Sequence, residues 1–322
     1  MKIAFHDTHL GIRGTSVAMY DYANYNEILL KDQHGLPNSS IIVVPENSSQ
    51  NDSLGVERFK SRFQVFTYKD LNDLENILER EKCDMLYCIK YGHNDNVFSR
   101  RIKTVIHCVF DMSQPHGDVY AGVSQAVAEK YNKTLFVPHM ISLGNEACGN
   151  LREQLGIPSN SIVFGRYGGM DTFDLPFCRR AIVDIVNSFE NIYFLFSNTP
   201  EFYKHQQIKY VSKMVDEKEK LKFIQTCDAY IECGSMGHSF GLAIGEFSVV
   251  NKPIIAYKGI AQGNGIWNDA HIKILKEDGI YFTNEIEFFH ILTTFIPYKA
   301  RNCYTDYSPE KAMSIFEKVF IN

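Results

Sequence analysis

The sequence predicts an α/β protein made of two doubly wound units. Three observations carry that expectation. The chain has 322 residues, more than one ordinary core of about 150 residues accommodates. Short β-rich runs alternate with longer helical patterns along its length, which is the signal for parallel sheets with crossover helices. Glycine-punctuated turns follow several of the strand-like runs, where a doubly wound sheet turns into its helices.

In order, KIAFHD (2–7) reads as a first strand, followed by the loop THLGIRGTS and a helix from Ser16 to about Leu30. Strand-like runs recur at SIIVVP, FQVFTY, DMLYCI and TVIHCVF, then at VYAGVS and KTLFVPH, with the helix-like SQAVAEKY between those two. These steps suffice for one domain over residues 1–150. A second begins at 151–322: LREQLGIPSNS reads as a short helix and turn, and IVFGRYGG as a strand running into a glycine turn. PFCRRAIVDIVNSF has apolar residues at helical spacing, IYFLFSN is strand-like, and EKEKLKFIQTC is a helix with a mixed-charge face. AYIEC is a strand, SFGLAIGEFSVV opens a helix near Phe240, KPIIAY is a strand, and IEFFHILTTFI is an apolar helix. The last helix, SPEKAMSIFEKVF (about 308–320), carries Ser308 at the N-cap and Pro309 in the first turn. The inter-domain linker falls within 142–158. Both halves read as Rossmann-like, an architecture that hosts many functions, so sites have to decide.

Composition removes several classes. The formal net charge is −5, from 33 basic and 38 acidic residues with no basic block, which argues against a nucleic-acid partner; Arg100, Arg101 and Lys103 read as a solvated rim. Eight cysteines include no CxxC pair, so no zinc or redox site is expected and a reducing compartment fits. The amino terminus lacks a signal-peptide core, and no run of 18 apolar residues occurs. The expectation is a soluble, cytoplasmic chain with no transmembrane segment.

Five stretches could carry chemistry. In HLGIRGTS, Gly11 and Gly14 permit a tight turn before a helix whose first N–H groups can bind an anion, and Arg13 at the loop tip, with Thr15 nearby, could face a phosphate or an acceptor across a cleft. A plain structural βα turn is the alternative. His6, Asp7 and His9 invite a metal, but alternation along a strand turns His6 and His9 to opposite faces, and no Asp-x-Asp occurs; no metal is expected. His107 ends an apolar strand, either as a satisfied core residue or as a ligand contact; Asp111, His116 and Asp118 supply polar neighbours in sequence. Arg166, among Gly165, Gly168 and Gly169, suits a diphosphate through its two-pronged fork, or is an arginine on an exposed turn. In HSFGLAIGE, Ser239, Phe240, Gly241 and Leu242 lie where a helix begins and leave backbone N–H groups open to a ligand. Glu246, one to two turns in, is either a partner for ribose hydroxyls or a solvated helix residue.

HSFGLAIGEF followed by NKPIIAY resembles the retaining GT-B glycosyltransferases of family 4, whose signature is Glu, seven residues, Glu around a core like E-x-F-G-L-x-x-x-E-A, then a G-x-P-V-I strand. The resemblance runs upstream through IVFGRYGG, LREQLGIP, DVYAGVSQAVAEKY, TVIHCVFD and GIRGTS, in order over most of the chain. It implies two Rossmann-like domains (GT-B) facing across a cleft, closing through the linker, with the last helix crossing back toward the amino-terminal domain. It also implies a retaining transferase that moves a sugar from a UDP- or GDP-linked donor to an acceptor hydroxyl on a glycan, protein or lipid, with no metal and no cofactor beyond the donor. Glu246 would hold the ribose, Phe240 to Ala243 the phosphates and sugar, Arg166 the leaving diphosphate, and His107 the transferring sugar. Gly14 would lie under the donor phosphates or beside the acceptor.

Two departures stand out. His238 replaces the family's first glutamate, and the lysine after the diphosphate arginine is missing, with Arg179 and Arg180 as the nearby candidates to replace it. These departures keep two rival expectations in view: an inactive nucleotide-sugar binder and a GT-B sugar-nucleotide epimerase.

Overall fold

A computed structural model describes residues 1–12, 14–259 and 268–322. The chain divides into two units: Met1–Ser142 with Asp306–Asn322, and Leu143–Thr305. The division thus falls a few residues before the expected boundary at 150, and the carboxyl-terminal segment belongs to the first unit. No helix of the described residues is long and apolar enough to cross a membrane.

The first unit is a six-stranded parallel sheet of β1 (Lys2–His6), β2 (Ser39–Pro45), β3 (Gln64–Tyr68), β4 (Met85–Lys90), β5 (Lys103–Cys108) and β6 (Val119–Gly122). The spatial order is β3-β2-β1-β4-β5-β6, so the chain reverses direction across the sheet between β1 and β4. KTLFVPH, read above as a further strand, contributes only an isolated parallel bridge from Phe136 to Gly122. The strand-like composition is real, but the pairing amounts to two bonds at Gly122, whose N–H donates to the Leu135 carbonyl at 3.0 Å and whose carbonyl accepts from the Val137 N–H at 2.9 Å. Helices α1 (Gly14–Leu29), α2 (Ser53–Arg62), α3 (Leu71–Arg80) and α4 (Gln125–Lys130) flank the sheet. Asp52, Asp70 and Ser124 cap the last three, each accepting from a first-turn N–H.

The second unit repeats the plan. Its strands are β7 (Ile162–Tyr167), β8 (Ile192–Ser197), β9 (Ile208–Val211), β10 (Ala229–Glu232), β12 (Ile254–Tyr257) and β14 (Ile280–Phe282), in the order β14-β12-β10-β7-β8-β9. The short β11 (Gly237–His238) and β13 (Asn268–Asp269) pair separately. The helices are α5 (Pro176–Ser188), α6 (Glu217–Thr226), α7 (Leu242–Val249), α8 (Ala270–Leu275) and α9 (Glu285–Thr294). LREQLGIP forms turns, not a helix. All-buried strands such as MLYCIK and IYFLFS explain why the sequence reads as apolar runs instead of alternation: a parallel sheet covered on both faces leaves no polar face.

The final helix α10 (Pro309–Phe316), capped by Ser308, continues into a π-turn over Glu317–Ile321. It inserts Phe316, fully buried, among Phe5, Tyr22, Tyr87 and Phe320, with ring centroids 6.4, 5.4, 5.6 and 5.2 Å away. Three imidazoles share this core, of which His139 packs against Tyr22 and His107 with ring centroids 6.1 and 5.6 Å away. His6 meets the Tyr68 hydroxyl at 2.8 Å through Nε2, and His107 is bonded through both nitrogens, to the Tyr87 hydroxyl at 2.6 Å and the Val137 carbonyl at 2.8 Å.

Two tests follow from this packing. Phe316→Ala should destabilise the first unit by about 3 to 5 kcal/mol, the range for deleting a buried phenyl ring, read as faster hydrogen exchange in β1 and β4 with β7 and β8 unchanged. Burial pushes His6 down to about 3 and His107 down to about 4. An unfolded chain takes up those protons near the ordinary value of about 6.5, so falling pH favours unfolding. The contribution of the neutral rings is whole above about 6.5 and is lost progressively toward pH 4. Amide exchange in the first unit should therefore accelerate between pH 6.5 and 4.5, after correction for intrinsic rates; an unchanged stability would contradict it.

Candidate active site

In the second unit the chain reverses between β7 and β10, and side chains leaving the carboxyl ends of these strands meet at the place where a doubly wound sheet binds its ligands. Arg166 leaves β7 wholly buried. Its guanidinium donates to the Thr199 hydroxyl at 2.7 Å, to the Gly169 carbonyl at 3.0 Å and to the Thr172 hydroxyl, while Nε has no partner. Every one of those acceptors is neutral, so the positive charge is oriented without being cancelled at its own nitrogens. Asn198, held at φ 51°, donates to the Gly168 carbonyl at 2.6 Å and fixes the turn beside it.

From β10 comes Glu232, 1% exposed. Its Oε1 accepts from the Gly234 N–H at 2.9 Å; its Oε2 accepts from the Tyr230 hydroxyl at 3.0 Å and stands 3.0 Å from His238 Nε2. Burial alone would raise this carboxyl, but His238, its hydrogen bond and the Arg166 charge outweigh it and hold Glu232 at about 2. A side chain on Gly234 would meet Glu232 Oε1 at 2.7 Å, so the tight turn after β10 needs glycine.

The HSFGLAIGE stretch supplies the third wall. The helix starts at Leu242, not at Phe240, because Gly241 takes φ +91° and ψ 63° and serves as the N-cap without a side-chain bond. The first-turn amides of α7 therefore have no capping side chain. Phe240 is buried, its carbonyl accepting from the Tyr304 hydroxyl at 3.0 Å, and Ser239 is also buried. Glu246 is not a solvated helix residue: the Tyr167 hydroxyl donates to Oε2 at 2.6 Å and Lys220 of α6 donates to Oε1 at 2.6 Å.

Several expected residues lie elsewhere. His107 belongs to the core of the first unit, 0% exposed with both nitrogens in use, so the ligand-contact reading gives way to the satisfied-core one. Gly165 is likewise a packing residue: a Cβ there would meet Cys227 Sγ at 2.2 Å, so it lets α6 approach β7 and faces no ligand. Gly14 is the exposed first residue of α1 and Thr15 is half-buried beside Asp7. Arg13 lies outside the described residues. Arg179 donates to the Phe173 carbonyl at 3.1 Å through Nε, and Arg180 pairs with Glu285 of α9 at 2.7 Å, so neither is presented as a replacement for the missing lysine.

The residues that reasoning from sequence missed are Glu232, Tyr230 and Lys220. A lone glutamate ending the apolar run AYIEC was a visible signal for the first. Lys220 sits in a helix whose charges read as solvated, and nothing local marks it as turned inward.

No protein-family model and no curated protein sequence matches the chain. Solved structures do. Anabaena HepE in complex with UDP and glucose is 14% identical with a TM-score of 0.67, over 99% of this chain and 95% of that one. The lipopolysaccharide outer core galactosyltransferase WaaB, in its apo form, is 10% identical with a TM-score of 0.64, over 100% and 99%. S. aureus MnaA with UDP is 12% identical with a TM-score of 0.61, over 100% and 98%. What this likeness establishes is the fold: two parallel six-stranded α/β domains in one chain, the GT-B architecture.

Proposed function

We propose that the second unit binds a UDP- or GDP-linked sugar and that the protein transfers the sugar to an acceptor hydroxyl, with retention and without a metal or other cofactor. The observation that carries this reading is Arg166: a fully buried guanidinium at the reversal point of the sheet, with one nitrogen unpartnered. A leaving nucleoside diphosphate is the chemistry such a group suits. HepE and MnaA, which share the fold, are solved with UDP.

When the glycosidic C–O bond breaks, negative charge grows on the leaving phosphate oxygen. Fixed donors in a water-poor site stabilise that charge without reorganising. Arg166 and the uncapped amides at Leu242 and Ala243 are such donors, and their presence is why no metal is invoked. With retention, the acceptor oxygen bonds to the anomeric carbon on the face that the phosphate leaves, and its proton passes to the departing phosphate oxygen. No paired carboxylates of glycosidase type are then needed. Glu246 accepts one bond at each oxygen from Tyr167 and Lys220, and a carboxylate keeps further lone pairs, so it can still receive ribose hydroxyls in a fixed position. A reducing compartment fits the eight free cysteines.

In a thermal-shift screen against UDP, GDP and their sugars, the matching ligand should stabilise the fold by about 2.7 kcal/mol at a hundredfold excess over Kd. Arg166→Lys and Arg166→Ala should lower donor turnover, followed as UDP or GDP release, by about a hundredfold or more, the loss typical of one aimed donor. Glu246→Gln and Glu246→Ala should instead weaken nucleotide binding in calorimetry. Parent-like behaviour of all four variants would contradict these assignments, and interconversion of the donor sugar without an acceptor would identify an epimerase instead.

A further inference from the structure

Arg166 is 0% exposed, and a guanidinium with no surface meets no ligand until a neighbour moves. Thr199 holds its Nη1, while the Gly169 carbonyl and the Thr172 hydroxyl hold its Nη2. These neighbours are built in differently. Thr199 is half-buried in the turn that leaves β8, and its hydroxyl donates to the Ser197 carbonyl at 3.3 Å. Ser197 is buried in turn and donates to the Ser212 carbonyl at 2.9 Å. On the other side Met170, Asp171 and Thr172 are all exposed, and the Thr172 hydroxyl closes their turn by donating to the Gly169 carbonyl at 2.9 Å.

That turn is short and anchored at both ends. Before it, the Gly168 carbonyl accepts from Asn198 at 2.6 Å. After it, Phe173 is fully buried, with its ring centroid 5.2 Å from that of Phe196 and 5.6 Å from that of Phe202, and Asp174 accepts from the Ser235 N–H at 2.8 Å. Residues 169–172 lie between these fixed points. A Cβ on Gly169 would meet Thr172 Cγ2 at 3.1 Å, so glycine lets the turn close this tightly over Arg166, and it also gives the backbone freedom to swing.

The closed turn serves Arg166 with neutral acceptors only and leaves Nε without one. A hydrogen bond to an ionised oxygen is roughly twice as strong as one to a neutral oxygen, so a phosphate competes well for Nη2. We propose that residues 169–172 form a small lid and that Thr172 is a placeholder: its hydroxyl holds Arg166 Nη2 until a diphosphate oxygen takes its place and the turn swings aside. Thr199, tied to the end of β8, stays on Nη1 as the positioning residue. This inference rests on the nucleotide-sugar reading above and extends it: the donor has to displace part of the protein, so its affinity is reduced by the fraction of molecules whose lid is closed.

The test is calorimetric titration of the full chain with UDP and GDP, followed by a crystal structure of the complex that forms. Thr172→Val keeps the shape of the side chain and removes the oxygen that holds Nη2. Without its placeholder Arg166 should bind the nucleotide about fivefold more tightly, the scale of one neutral hydrogen bond, whereas a merely structural Thr172, or one that itself binds phosphate, would lose affinity on the same change. Thr172→Ser keeps the oxygen and should bind as the parent does, and Thr199→Val should bind about fivefold more weakly. In the complex Thr172 Oγ1 should stand beyond hydrogen-bond distance of Arg166, with a phosphate oxygen in its place. Thr172→Val binding no more tightly than the parent overturns the inference alone, as does a complex in which Thr172 still holds Nη2. No binding of UDP or GDP by the parent and by Thr172→Val overturns the nucleotide-sugar reading and this inference with it.

Discussion

A carboxylate taken out of water has to be met by charge and hydrogen bonds, and in the second unit that requirement falls on Glu232. Desolvating an ion costs several kcal/mol even after relaxation, so its neighbours are not optional. Tyr230, the Gly234 amide and His238 meet the oxygens directly, with the Arg166 charge close by. Tyr230 also lies 3.1 Å from the carbonyl of Tyr167, whose own hydroxyl donates to Glu246, and Glu246 is held by Lys220. Strands β7 and β10 and helices α6 and α7 are thus tied by one buried polar network. Its satisfaction fixes where Arg166 and the start of α7 stand.

The location of that network follows from the sheet. Strands buried on both faces have no room for polar side chains along their length, so charge collects at their carboxyl ends. Reversal of the strand order keeps crossover helices apart there and leaves space. The first unit shows the same logic with different residues: His6 and Asp7 leave β1, and Lys90, buried and paired with Asp95 at 2.5 Å, leaves β4. There Tyr68 meets one nitrogen of His6, the Thr8 amide meets Asp7 and Asp95 meets Lys90, while His6 Nδ1 is buried without a partner. The second unit differs in keeping a guanidinium whose acceptors are all neutral.

Much of the fold was legible because its elements are locally consistent. The apolar runs of β2, β4, β8 and β12 and the capping residue Ser308 announced themselves within short windows. The elements that escaped are short ones, β9, β11, β13 and β14, which owe their extended shape to a neighbouring strand and not to composition. KTLFVPH shows the converse, since β propensity without a full partner yields one bridge. Within the site, Arg166, Gly241 and Glu246 could be picked from turn and helix-start chemistry. Lys220 could not, because its partner lies 26 residues away and is reached only after α6 and α7 pack on the same sheet.

The sequence by itself determined the two parallel sheets, the presence of a helix after AYIEC, and which residue types stand at strand ends, because periodicity and backbone freedom act over a few residues. Only the tertiary structure decided what those residues do. It turned His107 and Gly165 from ligand candidates into packing groups, since burial and the spacing of α6 from β7 are set by distant contacts. It also placed a carboxylate beside His238 and a lysine beside Glu246. Charge is neutralised through space, and which ions become neighbours is settled when the helices close over the sheet.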